Sequence, residues 1–214
     1  MEKADPKPAT LILSIGPDSG SLEEAQPVRR FFPLLQQGFS VRARLGCSIR
    51  DLLCKQFGLE PDYLKHRITT IFLNGKAIDD PESSRVTDGS TLALSAAMPG
   101  LVGATMRAGG YYAAMRGAMT HQETAGSDRQ KTGQIRIKLF NLLMAELGPG
   151  FLAHGIIIPA RELADFLADQ PSTSWEGWRR TVVNGEPVEP GLLAAEPWKD
   201  LGDEPVRLIV TFEE

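Results

Sequence analysis

The chain has 214 residues, 42% of them hydrophobic and 23% charged, with a formal net charge of −4. That is the make-up of a globular protein with one large domain or two small ones. It offers no general attraction to nucleic acid or to an anionic membrane, and no uninterrupted apolar run is long enough to span a bilayer.

Met1 to Ala9 is charged and proline-bearing, and reads as a disordered lead-in without a secretory signal. Thr10 to Ile15 reads as a strand, and Gly16 to Gln26 as a loop. Between Val28 and Gln37, Pro33 argues against a long helix. The next strand is clear: Phe39, Val41, Ala43 and Leu45 alternate with Ser40, Arg42 and Arg44, so one face is apolar. Ser48 can cap a following helix and Asp51 suits its positive end. Ile49, Leu52, Leu53 and Phe57 supply its buried stripe, and Gly58 a stop. Ile68 to Ile78 is a β-rich run broken by Asn74-Gly75, a strong hairpin signal. Turns at Asp79 to Ser84 and at Asp88-Gly89 lead to a strand at Thr91 to Ser95.

Ala96 to Thr120 differs in character. It combines Ala and Gly with Met98, Met106, Met115, Met119, Tyr111 and Tyr112. This is too apolar for a solvated linker, and it is expected to pack on a domain or on a second copy of the chain. His121 to Gly133 is polar and reads as an interdomain linker. Ile135 to Phe140 is then a strand, Leu142 to Leu147 a short helical turn and Phe151 to Ile158 another strand. Pro159 opens a helix with Leu163, Phe166 and Leu167 buried. Arg180 to Val188 holds a second hairpin, with Asn184-Gly185 placed 110 positions after the first. Val206 to Phe212 is the closing strand.

Each half thus reads strand, strand, helix, Asn-Gly hairpin, strand. That order resembles the β-grasp fold of ubiquitin-like proteins, above all the small sulfur carriers of molybdopterin and thiamine synthesis. Ile135-Arg-Ile-Lys-Leu-Phe140, Arg161-Glu-Leu-Ala164 and Val182-Val-Asn-Gly-Glu-Pro-Val188 carry the likeness in the second half. Ile49-Arg-Asp-Leu-Leu53, Phe72-Leu-Asn-Gly-Lys76 and Asp88-Gly-Ser-Thr-Leu92 carry it in the first. The resemblance implies an α+β protein with two β-grasp domains, each a mixed sheet packed on one main helix. They occupy residues 10–98 and 134–214, after the lead-in of residues 1–9, and are joined by the connecting segment 99–133. It also implies that the strands 135–140 and 206–212 lie side by side at a sheet centre. Arg136, Lys138 and Arg207 would then share an exposed face, as Arg42 and Arg44 would in the first domain. Such basic faces on an acidic chain suit an acidic protein partner.

The resembling carriers act through a free terminal Gly-Gly, which an adenylating enzyme activates. This sequence ends Thr211-Phe-Glu-Glu214, so the intact chain is not expected to work as a carrier. Its one Gly-Gly pair, Gly109-Gly110, is followed by Tyr111 and Tyr112, and reads either as a flexible turn or as a latent tail released by cleavage. Cys47 and Cys54 sit too close for a bridge to remove much chain entropy, and are expected as reduced thiols in a cytoplasmic protein. His66, His121 and His154 show no ligand spacing, so neither a metal nor a cofactor is expected. No catalytic constellation stands out. The expectation is a non-enzymatic protein-binding module without nucleic-acid or membrane partners, able to self-associate through residues 99–119. A sulfur carrier precursor cleaved near Gly110 and an enzyme with an interdomain pocket are the alternatives.

Overall fold

The computed structural model describes residues 8–16, 27–97, 131–170, 177–195 and 198–212. The chain is an α+β protein whose mixed β-structure is divided between two compact units. One is Leu35–Leu147; the other joins Met1–Leu34 to Gly148–Glu214. The two consecutive stretches expected from the sequence are therefore replaced by one unit nested inside the other along the chain.

In the Leu35–Leu147 unit, the strands are β2 (Phe39–Arg44), β3 (Thr70–Leu73), β4 (Lys76–Ala77), β5 (Thr91–Ser95) and β6 (Thr132–Phe140). Their order is β4-β3-β5-β6-β2. β5 and β6 are parallel and the other neighbours antiparallel. The alternation in β2 does what it predicts: Phe39, Val41 and Ala43 are buried, whereas Arg42 and Arg44 are exposed. Ile135, Ile137 and Leu139 of β6, Leu92 and Leu94 of β5, and Ile71 and Leu73 of β3 join them in the core. Ser48 Oγ accepts the backbone N–H of Asp51 at 3.1 Å, which caps the helix that follows. From Asp51 to Gln56 this helix is wound in the wider π form, with Phe57 N–H donating to Leu52 O at 3.2 Å. Ile49, Leu52 and Leu53 are fully buried on its inner face. A second short helix, which sequence patterning did not disclose, is α2 (Pro61–His66).

The other unit contains β1 (Ala9–Ile15), β7 (Ile156–Pro159), β8 (Trp178–Val183), β9 (Glu186–Pro187) and β10 (Pro205–Phe212), in the order β7-β10-β1-β8-β9. β1 and β10 are parallel and the remaining neighbours antiparallel. Its main helix, Ala160–Ala168, buries Leu163, Phe166 and Leu167. Phe31 packs on Phe166 with ring centroids 5.3 Å apart. The helix starts one residue after Pro159, whose extended backbone (φ −60°, ψ 142°) ends β7 and sets the turn into the helix.

The two sets of strands repeat one pattern, and the hairpins fix the register. Asn74 and Asn184 both have φ 51°, and the glycine after each also has positive φ, as a primed two-residue turn requires. Asn74 N–H donates to Thr91 O, and Thr91 N–H donates to Asn74 Oδ1, both at 2.8 Å. Asn184 makes the same pair of bonds with Thr10, at the same lengths. Thr91 pairs with Arg136 across the parallel junction of β5 and β6; Thr10 pairs with Arg207 across that of β1 and β10. Hence β1 is the counterpart of β5, and β10 the counterpart of β6. The expected correspondence was the other way round, with 10–15 matching 135–140. Residues 135–140 and 206–212 are also not hydrogen-bonded neighbours: β6 pairs with β5 and β2, and β10 with β1 and β7.

The reading of residues 142–158 is corrected as well. The helix from Leu142 runs on to His154, through Pro149 and Phe151, so the following strand is only Ile156–Pro159. Gly155, at φ +97°, is the residue that ends this helix and turns the chain into β7. Between Pro27 and Gln37, a 3₁₀ turn (Pro27–Phe31) runs into α1 (Phe32–Gln37), with Pro33 in the first turn, where its missing N–H costs nothing. Among the described residues no helix is long and apolar enough to cross a membrane.

Candidate functional site: a cationic sheet face

Four of the five candidate basic residues fall on one face of the Leu35–Leu147 sheet. Arg136 and Lys138 point outward from β6, Arg42 and Arg44 outward from the adjacent β2. The register places Ser40 opposite Arg136, Arg42 opposite Gln134 and Arg44 opposite Thr132. Thr91 and Ala93 of β5 flank Arg136 and Lys138 on the far side. None of the four cations has a carboxylate partner among the described residues.

The side chains of Arg136 and Lys138 are held down by a glycine. Gly38 immediately precedes β2 and has φ +108°, a region in which only glycine is unstrained. A Cβ there would come within 2.8 Å of both Arg136 Nε and Lys138 Cγ. The bare backbone therefore makes room for both stems to lie over it. Arg136 Nη2 donates to Gln37 O at 3.2 Å, which fixes the guanidinium.

Arg207, expected beside Arg136 and Lys138, belongs instead to the other unit. There it is the register counterpart of Arg136 and repeats its local fixings. Its Nη2 donates to His154 O at 3.1 Å, and a Cβ on Gly155 would meet its Nε at 2.7 Å. The surroundings have diverged, however. Ile157, Pro159 and Ile209 stand where the first sheet has Ser40, Arg42 and Lys138.

Two other clusters carry titratable groups. In the Leu35–Leu147 unit, the Glu146 carboxylate accepts from Tyr63 Oη at 2.5 Å and from Arg67 Nε and Nη2. Arg67 holds the Glu146 carboxyl below the usual carboxylate range, while burial and the bond to Glu146 push the Tyr63 phenol up. A carboxylate already bound to a guanidinium and a phenol is a poor general base, so this is a tie between α2 and the start of the Leu142–His154 helix (α3). A cleft of about 440 Å³ in the same unit is lined by Arg44, Cys47, Asp51, Lys55, Gln56 and Arg85, among others. Cys47 Sγ donates to Arg44 O, and Gln56 Nε2 donates to Cys47 Sγ, each at 3.2 Å. Burial pushes the Cys47 and Cys54 thiols up, so both are protonated at neutral pH and neither is an activated nucleophile. Both cysteines are free. Among the described residues no group of three or more His, Cys, Asp or Glu is placed to hold a metal ion.

Gly109, Gly110, Tyr111, Tyr112 and the rest of the connecting segment lie outside the described residues, as do Glu213 and Glu214. What sequence reasoning missed is Gly38, the residue that organises the cationic face. A single glycine between Gln37 and the alternating run of β2 was the available signal. Comparison with protein-family models, with curated proteins and with solved structures finds no match.

Proposed function

We propose that the chain is a non-enzymatic protein-binding module built of two β-grasp-like units, and that it docks an acidic protein surface on the Arg42, Arg44, Arg136 and Lys138 face. The observation that carries this reading is the set of four cations on two adjacent strands without a carboxylate partner among the described residues, two of them held in place over Gly38. Four like charges on one small face repel one another, and a folded protein has no internal reason to collect them. A complementary anionic partner relieves that repulsion, speeds encounter and fixes orientation. The strand order in each unit is in keeping with a β-grasp. The protonated thiols and the saturated Glu146 fit a role in binding better than one in catalysis.

The test is recovery of partners by the full chain and by a variant with Arg42→Glu, Arg136→Glu and Lys138→Glu, quantified by mass spectrometry at two salt concentrations. Loss of a defined set of acidic proteins from the variant, and from the unmodified chain at high salt, is the expected result. Identical recoveries would remove the reading.

One observation favours a second reading, a carrier precursor. In the resembling carriers the strand after the hairpin leads directly to the tail. In the Leu35–Leu147 unit that strand is β5, which ends at Ser95, and Gly109-Gly110 comes well beyond it in the chain. A thiocarboxylate on a fragment ending at Gly110, found by mass measurement after incubation with ATP, a sulfur donor and an adenylating enzyme, would establish this reading.

A further inference from the structure

The four cations are a row. On the outward face, successive positions of β6 are Thr132, Gln134, Arg136 and Lys138. Arg44 is level with Thr132 and Arg42 with Gln134. By Cα register, one basic residue thus belongs to each of four consecutive levels along the strand direction: Arg44, Arg42, Arg136, Lys138. The row changes strand in the middle, and Gly38 corrects for this. Phe39 pairs with Ile137, so Gly38 is the β2-side neighbour of Lys138. Because Gly38 has no side chain, the stems of Arg136 and Lys138 lie over it on the β2 side, and the Arg136 guanidinium, bound to Gln37 O, reaches along the strand to the Gly38 level.

Outward residues along a strand are about 6.7 Å apart, so the row spans about 20 Å. An extended polypeptide has the same repeat, with alternate side chains on one side. Resting on the proposed docking role of this face, we infer that its occupant is an extended segment of a partner protein with acidic side chains at alternate positions, i, i+2, i+4 and i+6. Such a segment laid along the strands brings two carboxylates opposite Arg44 and Arg42 and two more to the Gly38 end, where Arg136 and Lys138 lie together. A helical acidic segment brings side chains to one face only every three or four residues, at about 5–6 Å, and cannot hold this register over four levels. The phosphates of a single-stranded nucleic acid also repeat at several ångströms. However, the chain carries a net charge of −4, whereas nucleic-acid-binding domains are characteristically basic.

The experiment measures affinity of the full chain, at low salt, for two labelled eleven-residue peptides of identical composition. One has four glutamates alternating with serine and threonine; the other has the four glutamates consecutive. A short single-stranded RNA is the third ligand. The expected result is at least tenfold tighter binding of the alternating peptide than of the clustered one. Arg42→Gln, at an exposed position without a described side-chain contact, should weaken it severalfold. Equal affinity for the two peptides, both weakened by Arg42→Gln and Arg136→Gln, would overturn the alternating register and leave the docking face standing. Failure of both peptides to bind would overturn both. Tighter binding of the RNA, displaced by neither peptide, would also overturn the inference.

Discussion

Replacing Gly38 by alanine tests the link between backbone and function. At φ +108° a side-chain-bearing residue is strained by about 1–3 kcal/mol. The new methyl would also lie within 2.8 Å of Lys138 Cγ, which is near the root of that side chain and cannot swing away alone. A total cost of about 2–3 kcal/mol follows from the strain and the contact together. For a chain of this size that is a fall in Tm of about 4–12 °C. The assay is urea unfolding at constant m, so that a changed midpoint reports stability. The same variant should bind an acidic ligand more weakly, because Arg136 and Lys138 are pushed off the β2 side. Gly155→Ala is the matched control. Its φ is +97° and its Cβ would meet Arg207 Nε at 2.7 Å, so it should lose comparable stability and keep the acidic ligand. A loss below about 0.5 kcal/mol in Gly38→Ala, within the range of an ordinary surface change, with binding intact, would refute the reasoning.

Asn74→Ala and Asn184→Ala each remove an acceptor from a strand N–H and put alanine at φ 51°, and should each cost about 1–2 kcal/mol in the same unfolding assay. Near-equal costs are expected because the two turns make the same bonds. The Glu146 carboxyl has its pKa lowered by Arg67, so the stability it contributes is complete above the unfolded value, about 4.3, and is lost as pH falls through the folded one. Glu146→Gln should therefore flatten the acid limb of a stability profile recorded between pH 6 and pH 3. Because burial raises both thiol pKa values, alkylation of Cys47 and Cys54 in the native protein should be slow at pH 7 and accelerate at alkaline pH.

The hairpins, the β2 strand and the Ser48-capped helix were legible because each depends on local chemistry: an Asn-Gly pair, a period of two, a hydroxyl one turn before an apolar stripe. The placement of the central strands was not. β1, β5, β6 and β10 all have one buried face, and in each unit two of them lie parallel side by side. Alternation says which face is buried, but not which sheet or which central position a strand enters. A finer echo was present. Thr10-Leu-Ile-Leu-Ser14 matches Thr91-Leu-Ala-Leu-Ser95, and Val206-Arg-Leu208 matches Ile135-Arg-Ile137, the pairing the hydrogen bonds reveal. Four of the five basic candidates shared a face because β2 and β6 are neighbours. Arg207 did not join them because its strand belongs to the other unit. The helix through Phe151 was misread as strand because Gly148-Pro149-Gly150 looks like a break, yet the helix continues through it to Gly155.

The docking claim is tested most directly by titrating the full, isotope-labelled chain with the alternating acidic peptide and following backbone and arginine side-chain NMR signals. The account predicts saturable shifts confined to Ser40, Arg42, Arg44, Gln134, Arg136, Lys138 and their β5 neighbours Thr91 and Ala93, abolished by salt. Shifts centred on Arg207 and its sheet, or none at saturating peptide, would contradict it.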